Sequence, residues 1–433
     1  MNIKKEILDL VEKFSINKFI IKEFIPGETP IPVSGKVLDS EELKNMVEAS
    51  LDGWLTTGRF NKEFEKKISL FIGSKLSITV NSGSSANLVA FMTLTSSKLK
   101  EKAILPGDEI ITVAAGFPTT INPIVQFGAI PVFIDVDIPT YNIKVDEIEG
   151  AITKKTKAIM IAHTLGNPFD IKKVREICDK NNLWLVQDTC DALGARFDNK
   201  PLGFYGDIGT VSFYPAHHIT MGEGGLVYTN SIQLKKIAES FRDWGRDCYC
   251  ETGKDNTCNK RFSWHLGNLP KGYDHKYTYT HMGYNLKITD MQAACGLAQL
   301  SKIEKFVKKR LDNYNYLYEL FSNLKNYFVL PEKTKNSEPS WFGFLLTIKD
   351  RKLKRNDLLE FLEKRKIGTR LLFAGNVTKQ PYMINKKYVI YKDLKNTDKI
   401  MNDSFWVGVY PGLEKEHLDY IYVSIKEFIN NKN

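Results

Sequence analysis

The sequence predicts an α/β protein with a mostly parallel sheet flanked by helices and a smaller α+β C-terminal domain. Between about residues 70 and 230, seven short β-branched runs alternate with helical patterns, an order typical of βαβ units. The runs are LSITV, DEIITV, IPVFIDV, KAIMIAH, WLVQD, GTVSFY and GGLVYT. A chain of 433 residues also exceeds one ordinary hydrophobic core, so more than one domain is expected.

The remaining segments divide the chain into three parts. Residues 1–45, with prolines at 26, 30 and 32, predict a short helix and an extended arm. Residues 46–300 form the predicted large ligand-binding domain, and residues 301–433 form the small C-terminal domain. A 3.6-residue periodicity from about 290 to 325, with Thr289 or Asp290 as its cap, predicts one long helix leaving the sheet domain.

The composition is that of an ordinary soluble globular protein. Hydrophobic residues make up 42% and charged residues 26% of the chain. The net charge of +10 comes from scattered lysines near acidic residues, which favours a solvated surface or an anionic small substrate over nucleic acid. The start of the chain lacks the apolar core of a signal peptide, and no apolar run has the length of a membrane span, so a cytoplasmic location is expected.

Polar residues suited to one ligand follow three of the predicted strands. Gly83, Ser84 and Ser85 begin a helix after one strand, and a helix N-terminus after a glycine turn presents free N–H groups to a phosphate. The other positions are Asp188 and Asp191 after WLVQ, and Ser212 after GTV. Because ligands gather at the carboxyl ends of parallel strands, these groups predict a shared anion-binding site.

The segment SFYPAHHITMGEGG, residues 212–225, carries a family resemblance. It is similar to the SFxxxKxxxxGEGG signature of the sugar aminotransferase and dehydratase family of fold-type I pyridoxal-phosphate proteins. Every fixed position matches except the lysine, which is His217. The resemblance runs from about residue 28 to the C-terminus, and it implies the fold-type I architecture.

The resemblance implies cofactor roles position by position. Ser84, Ser85 and Ser212 would hold the cofactor phosphate, Asp188 would pair with the ring nitrogen, and Phe117 would stack on the ring. Asn285, in GYNLKITD, falls where the family asparagine reaches the phosphate of the neighbouring subunit, which implies a homodimer. Tyr214 and Asp191 differ from the commonest family residues and are candidates for tuning the site.

The replacement of lysine by His217 predicts a change of chemistry. Lysine forms a Schiff base with the cofactor aldehyde, whereas imidazole cannot form that stable imine. The cofactor is therefore expected as noncovalently held pyridoxamine phosphate, whose amine can condense with a ketone. His217 would act as the base that removes the methylene proton of the cofactor, so that a sugar hydroxyl is expelled rather than an amino sugar formed.

Four cysteines suggest a metal centre. Cys190, Cys248, Cys250 and Cys258 are separated by 57, one and seven residues, and by their chemistry alone they could hold zinc or an iron–sulfur cluster, or remain unliganded. The spacing resembles that of the family branch that deoxygenates CDP-4-keto-6-deoxyhexoses at C-3 with a 2Fe-2S cluster. That resemblance implies an NADH-dependent flavin and iron–sulfur reductase as partner. Cys178 and Cys295 fit helix core positions.

The resulting hypothesis is a homodimeric 3-dehydratase acting in 3,6-dideoxyhexose and O-antigen synthesis. Arg370 and Lys379, in the C-terminal segment GTRLLFAGNVTKQP, could meet the diphosphate of the nucleotide sugar or could be solvated surface charges. A cluster-free nucleotide-sugar dehydratase, and a cofactor-binding regulator or zinc-stabilised scaffold without turnover, remain the alternatives.

Overall fold

A large mixed β-sheet forms the centre of the molecule. The structure is a computed structural model that describes residues 3–20, 23–248, 250, 253–257 and 259–432. Fourteen strands lie within these ranges: β1 (Leu76–Val80), β2 (Glu109–Val113), β3 (Ile130–Ile134), β4 (Thr156–Ala162), β5 (Trp184–Asp188), β6 (Arg196–Phe197), β7 (Lys200–Pro201), β8 (Ile208–Ser212), β9 (Gly225–Thr229), β10 (Phe328–Val329), β11 (Ser337–Glu338), β12 (Gly343–Ile348), β13 (Val389–Ile390) and β14 (Ser404–Gly408).

Eight strands build the large sheet, in the order β1-β9-β8-β5-β4-β2-β3-β13. All pairings from β8 to β13 are parallel, and only β9 runs antiparallel to its neighbours β8 and β1. The seven predicted runs are the strands β1 to β5, β8 and β9. The predicted fold class, a mostly parallel sheet flanked by helices, is therefore confirmed.

Helices cover the large sheet. The described residues contain thirteen α-helices: α1 (Ile3–Lys18), α2 (Ser40–Leu51), α3 (Arg59–Ile72), α4 (Gly83–Leu94), α5 (Pro118–Phe127), α6 (Ile148–Ala151), α7 (Ile171–Lys180), α8 (Ile232–Arg242), α9 (Asp290–Leu300), α10 (Ile303–Phe321), α11 (Arg355–Lys364), α12 (Lys395–Asp403) and α13 (Lys415–Asn430). Along these ranges, no helix combines the length and the apolar run that crossing a bilayer requires.

The strand side chains alternate between two hydrophobic cores. In β2, Ile110 packs into the core that includes α4 and α8, and Ile111 packs into the opposite core with α7. In β5, Leu185 packs into the same core as Ile111, and Val186 packs into the same core as Ile110. Because successive side chains of a strand point to opposite faces, strands covered on both faces are apolar at every position.

The smaller sheet is antiparallel and has its own core. It contains β10, β12 and β14, and its side chains pack with those of α10, α11 and α13. This sheet corresponds to the predicted α+β region at the end of the chain. The domain boundaries at residues 45 and 300 remain a prediction.

The helix predicted over 290–325 is divided in two. Thr289 caps α9 in a capping box with Gln292, as its sequence indicated. The helix ends at Leu300, and α10 begins at Ile303. At the break, Lys302 lies 2.6 Å from the buried carboxylate of Glu42. The periodicity continues through the break, which is why the sequence predicted one helix.

Asp290 ties α9 to the start of α3. Its buried carboxylate accepts hydrogen bonds from the backbone N–H groups of Gly58, Phe60 and Asn61, at 2.9, 3.2 and 2.8 Å. These groups have no partner inside a helix, so the carboxylate acts as an N-terminal cap supplied from another helix.

We expect Asp290→Asn to destabilise the protein by about 1–3 kcal/mol, because an amide cannot replace charged hydrogen bonds to three donors. The thermal unfolding midpoint should fall. Asp312→Asn is the matched control, since Asp312 is 53% exposed in an i,i+4 ion pair and should change stability by no more than about 0.5 kcal/mol. Equal midpoints for the two variants would contradict the capping role.

Candidate active site

A cavity of about 780 Å³ opens at the carboxyl ends of the parallel strands, where ligands bind in open α/β sheets. Its lining comes from the large sheet on one side and from the region around the smaller sheet on the other. The lining includes Gly83, Ser84, Phe117, Asp188, Cys190, Asp191, Ser212, Tyr214 and His217 from the first region, and Phe342, Arg370, Phe373 and Trp406 from the second. The structure thus brings ten of the predicted site residues to one cavity.

The N-terminus of α4 and the end of β8 approach each other closely in this cavity. A Cβ atom on Gly83 would lie 2.4 Å from the Cβ of Ser212 and 2.8 Å from its Oγ. Only glycine therefore permits this approach. Ser82 caps α4 through its Oγ, which accepts from Ser85 N at 3.0 Å. Ser84 is exposed to the cavity beside the first N–H groups of the helix.

Asp188 is held at the end of β5 by three donors. Its carboxylate accepts from Asn87 Nδ2 at 2.8 Å, from Thr120 Oγ1 at 2.7 Å and from Cys190 N at 3.0 Å. Thr210 Oγ1 in turn donates to Asn87 Oδ1 at 2.7 Å, which orients the amide with its N–H toward Asp188. The carboxylate is 5% exposed and lines the cavity.

Sequence reasoning missed Asn87 and Thr120. Asn87 is a fully buried polar residue inside the apolar helix α4. A polar residue within an otherwise apolar helical run must find a hydrogen-bond partner, and this was the signal available in the sequence.

His217 and Asp191 form a buried pair beside Asp188. His217 Nδ1 lies 3.4 Å from Asp191 Oδ1, and the two side chains are 15% and 12% exposed. Burial lowers the pKa of His217 to about 4. Burial and the neighbouring charge of Asp188 raise the pKa of Asp191 to about 8. Both shifts disfavour charge, so at neutral pH the pair is a neutral imidazole beside a carboxylic acid, not an ion pair.

Two buried atoms of this pair lack a hydrogen-bond partner among the described residues. They are Asp191 Oδ2 and His217 Nδ1. Buried polar atoms are normally paired, so their position on the cavity wall indicates a site for a polar ligand.

Arg310 of α10 supports the segment that carries His217. Its guanidinium is fully buried and donates to the carbonyl groups of His217 at 3.3 Å and of Phe342 at 3.2 Å. Burial lowers the pKa of Arg310 to about 10. In the sequence it is one of several basic residues of α10, so nothing there distinguishes it from a surface charge. His218 turns away from the cavity and bonds Ser340 O at 3.0 Å.

Aromatic residues form the outer part of the cavity. Phe117 precedes α5, is 49% exposed and meets Phe373 edge to face, with ring centroids 6.2 Å apart. Tyr214 is 53% exposed on the same lining. The Phe342 ring lies 5.2 Å from the His217 ring. These rings give the outer part of the cavity an apolar lining.

Three of the residues predicted to bind the cofactor or substrate lie outside the cavity lining. Ser85 donates its hydroxyl to Asn81 Oδ1 at 2.6 Å. Lys379 Nζ lies 2.7 Å from Asp398 Oδ1 in a half-exposed ion pair. The ammonium group that was predicted to meet a diphosphate therefore already has a partner. Asn285 is exposed in an isolated bridge with Asp243. Arg370 does line the cavity.

The predicted convergence of four cysteines is not confirmed. Cys248 and Cys250 lie together with His275, and the three donor atoms are within 4.8 Å of one another. Cys190 lines the cofactor cavity instead and is not part of this group. Burial and Asp188 raise the pKa of the Cys190 thiol well above its usual range, so the neutral thiol is favoured. Cys258 lies outside the described residues.

The other two cysteines occupy core positions. Cys178 of α7 and Cys295 of α9 are buried among apolar side chains, as expected from the sequence. Burial raises the pKa of each thiol to about 12, which makes both unreactive.

Comparison with known proteins agrees with this fold. The chain is 60% identical over 428 residues to the lipopolysaccharide biosynthesis protein RfbH of Salmonella typhimurium, covering 99% of this chain and 98% of that protein. It is 53% identical to the dTDP-4-dehydro-2,6-dideoxy-D-glucose 3-dehydratase of Saccharopolyspora spinosa, covering 94% of this chain and 88% of the relative.

A solved structure is similar over most of the chain. It is a GDP-4-keto-6-deoxymannose-3-dehydratase, ColD, carrying a histidine-to-asparagine mutation and bound GDP-perosamine. The TM-score is 0.82 at 28% identity, with 91% of this chain and 100% of that chain covered. The model of the DegT/DnrJ/EryC1/StrS aminotransferase family matches residues 36–426. The chain therefore belongs to the DegT/DnrJ/EryC1/StrS aminotransferase family.

Proposed function

We propose that this chain is a pyridoxamine-phosphate-dependent 3-dehydratase of a nucleotide-bound 4-keto-6-deoxyhexose. The observation that carries the proposal is His217, which stands at the family's lysine position and lines the cavity as a buried neutral imidazole. The names of two relatives, both sugar 3-dehydratases, support the same reaction.

The cavity fits the cofactor that the fold family implies. The close approach of Gly83 to Ser212 leaves hydroxyls and free helix N–H groups facing one point, which suits a phosphate. Asp188 would pair with the ring nitrogen, and Phe117 would cover the ring. When bound, pyridoxamine phosphate supplies an amine that condenses with the ketone of the sugar and a ring that accepts electrons.

His217 would act as the base of the reaction. Since its pKa is lowered to about 4 by burial, the imidazole is neutral near pH 7 and Nδ1 can accept a proton. Asp191, whose Oδ1 lies 3.4 Å away, would help to orient the ring. Arg310 would orient His217 through its backbone carbonyl. No covalent bond ties an imidazole to the cofactor, so the amine stays free for the substrate.

An iron–sulfur centre is part of the proposal. The predicted ligands are Cys190, Cys248, Cys250 and Cys258, of which Cys248 and Cys250 lie close enough to share a metal. After the C-3 hydroxyl leaves as water, two electrons and two protons would give the 3-deoxy sugar and return the cofactor to its amine form. A 2Fe-2S cluster would pass them singly from an NADH-dependent flavin and iron–sulfur reductase.

The finer assignments concern substrate and assembly. We propose a CDP-4-keto-6-deoxyhexose as substrate, with Arg370 near its diphosphate, and a role in 3,6-dideoxyhexose synthesis for lipopolysaccharide, in keeping with the name of the Salmonella relative. The exposed Asn285 would reach the cofactor phosphate of a second subunit, which makes the enzyme a homodimer.

The test is incubation of the protein, pyridoxamine phosphate and CDP-4-keto-6-deoxyglucose in tritiated water. We expect tritium to enter the cofactor methylene and mass spectrometry to detect loss of the C-3 hydroxyl. His217→Asn should slow both by about 10²- to 10⁴-fold, because the amide cannot accept the proton. Formation of a 4-amino sugar with the hydroxyl retained would refute the dehydratase and favour an aminotransferase.

The protonation state of His217 can be measured directly. In cofactor-free protein labelled with [15N]histidine, we expect its NMR signal to titrate near pH 4 rather than near 6.5, since burial favours the neutral form. His217→Asn assigns the signal. A His217 signal that titrates near pH 6.5 would contradict the neutral pair with Asp191.

We expect Ser212→Ala to weaken pyridoxamine phosphate binding by about 10- to 100-fold, because a hydrogen bond to a charged group contributes about 1.5–3 kcal/mol. Equilibrium dialysis of the cofactor measures this change. Ser50→Ala, at an exposed position of helix α2, is the matched control and should bind with wild-type affinity. Unchanged cofactor binding by Ser212→Ala would contradict the proposed contact between Ser212 and the phosphate.

A further inference from the structure

We propose that Asn87 and Thr120 are positioning residues of the cofactor site, which fill one oxygen of Asp188 with hydrogen bonds and leave the other to receive the ring nitrogen. Their hydrogen bonds favour the ionised carboxylate, so the proton shared with the ring stays on the nitrogen. This inference rests on the pyridoxamine phosphate site of the proposed function. It adds two residues that lie outside the signature segment 212–225.

The two carboxylate oxygens of Asp188 accept unequal numbers of hydrogen bonds. Oδ2 accepts from Asn87 Nδ2 at 2.8 Å and from Thr120 Oγ1 at 2.7 Å. Among the described residues, Oδ1 accepts from the backbone N–H of Cys190 alone, at 3.0 Å. An ionised carboxylate has about four lone-pair sites, two on each oxygen, so Oδ2 is filled and Oδ1 has room for one more donor. Because Asp188 lines the cavity, Oδ1 is the oxygen suited to a protonated ring nitrogen.

The orientation of the Asn87 amide is fixed from the side opposite Asp188. Thr210 Oγ1 donates to Asn87 Oδ1 at 2.7 Å, and the Thr210 side chain is fully buried. The reverse orientation would place the amide oxygen about where Nδ2 now lies, 2.8 Å from a carboxylate oxygen, and two acceptors repel each other there. Thr210 and Asp188 are partners in the parallel pairing of β8 with β5. Strand register therefore sets the gap that the amide spans.

Stability alone gives little reason for a polar residue at position 87. Asn87 is 1% exposed, and its neighbours in α4, such as Ala86 and Val89, belong to an apolar core. Replacing two hydrogen-bonded buried groups by apolar groups of the same shape is often nearly neutral for stability. The hydrogen bonds that run from Thr210 through Asn87 end on a carboxylate of the cavity wall. This end point indicates a role in the site.

Helix α4 connects this contact with the proposed phosphate site. Ser84 lines the cavity at the start of α4, and Asn87 follows three residues later in the same helix. Residues three apart are neighbours on a helix, so one rigid element would set both the phosphate contact and the position of Asp188. Thr120, in the first turn of α5, holds the same carboxylate oxygen from a second helix. Support from two helices restricts the carboxylate to one orientation.

The test is nitrogen-15 NMR of pyridoxamine phosphate labelled at its ring nitrogen and bound, at saturation, to the full-length protein. We expect a protonated nitrogen in the wild type. Thr120→Val and Asn87→Leu each remove one donor to Asp188 and should shift the proton equilibrium about tenfold from the nitrogen toward the carboxylate, since a hydrogen bond to a charged acceptor is stronger than one to a neutral acceptor. The signal should move toward that of unprotonated pyridine, and furthest in the double variant.

Two further variants serve as controls. Thr120→Ser keeps the hydroxyl donor and should restore the wild-type signal. Thr93→Val makes the same change as Thr120→Val at a fully buried threonine of α4 whose hydroxyl bonds Val89 O at 2.7 Å. It does not contact Asp188 and should keep the wild-type signal.

The outcomes separate this inference from the proposed function. A wild-type signal in the double variant would overturn the roles of Asn87 and Thr120 and leave the cofactor site standing. An equal movement in Thr93→Val would assign the effect to the packing of the core and likewise overturn them. A wild-type protein that binds no pyridoxamine phosphate, or binds it with an unprotonated ring nitrogen, would refute the proposed pairing with Asp188 and this inference together. Should Asn87→Leu fail to fold, the comparison of Thr120→Val with Thr120→Ser decides alone.

Discussion

The close approach of Gly83 to Ser212 is the constraint on which the site depends. It requires β1 and β8 to end at the same edge of the sheet, joined through the antiparallel strand β9. It also requires glycine at position 83, because a Cβ atom there would overlap Ser212. Gly225 at the start of β9 is under the same constraint, since its Cβ would lie 2.2 Å from Ser82 O. The helix N-terminus and the serine hydroxyl therefore face the cavity together.

Burial sets the protonation of the titratable residues that line this cavity. Asp188 is buried but receives three hydrogen bonds, whereas Asp191 and His217 are buried with unpaired atoms. Desolvation and the neighbouring charge of Asp188 raise the pKa of Asp191 to about 8, so the Asp191 carboxyl is protonated near pH 7. Arg310 holds the backbone of His217 in this environment. The histidine at the lysine position of the family signature is thus a buried, neutral imidazole on a segment that Arg310 holds.

Most of the fold followed from local patterns. The seven predicted strands and the cap at Thr289 agree with the structure because each depends on neighbouring residues and on burial that the strand composition reflects. The local pattern did not predict the break between α9 and α10 at Ser301. The contact made there, between Lys302 and Glu42, joins residues far apart in the chain. Asn87 and Arg310 were missed for the same reason: their partners, Asp188 and His217, lie on other elements.

By itself, the sequence determined the sheet class, the motifs at the strand ends and the histidine at the lysine position, because these are properties of residue type and short-range order. Only the tertiary structure decided which of those motifs share a cavity. It brought Arg370 to the lining and left Lys379 paired with Asp398. It also separated Cys190 from Cys248 and Cys250 and put His275 beside them. Such groupings depend on backbone pairing between distant segments, such as Arg246 with Tyr279. The spacing of residues along the sequence does not predict that pairing.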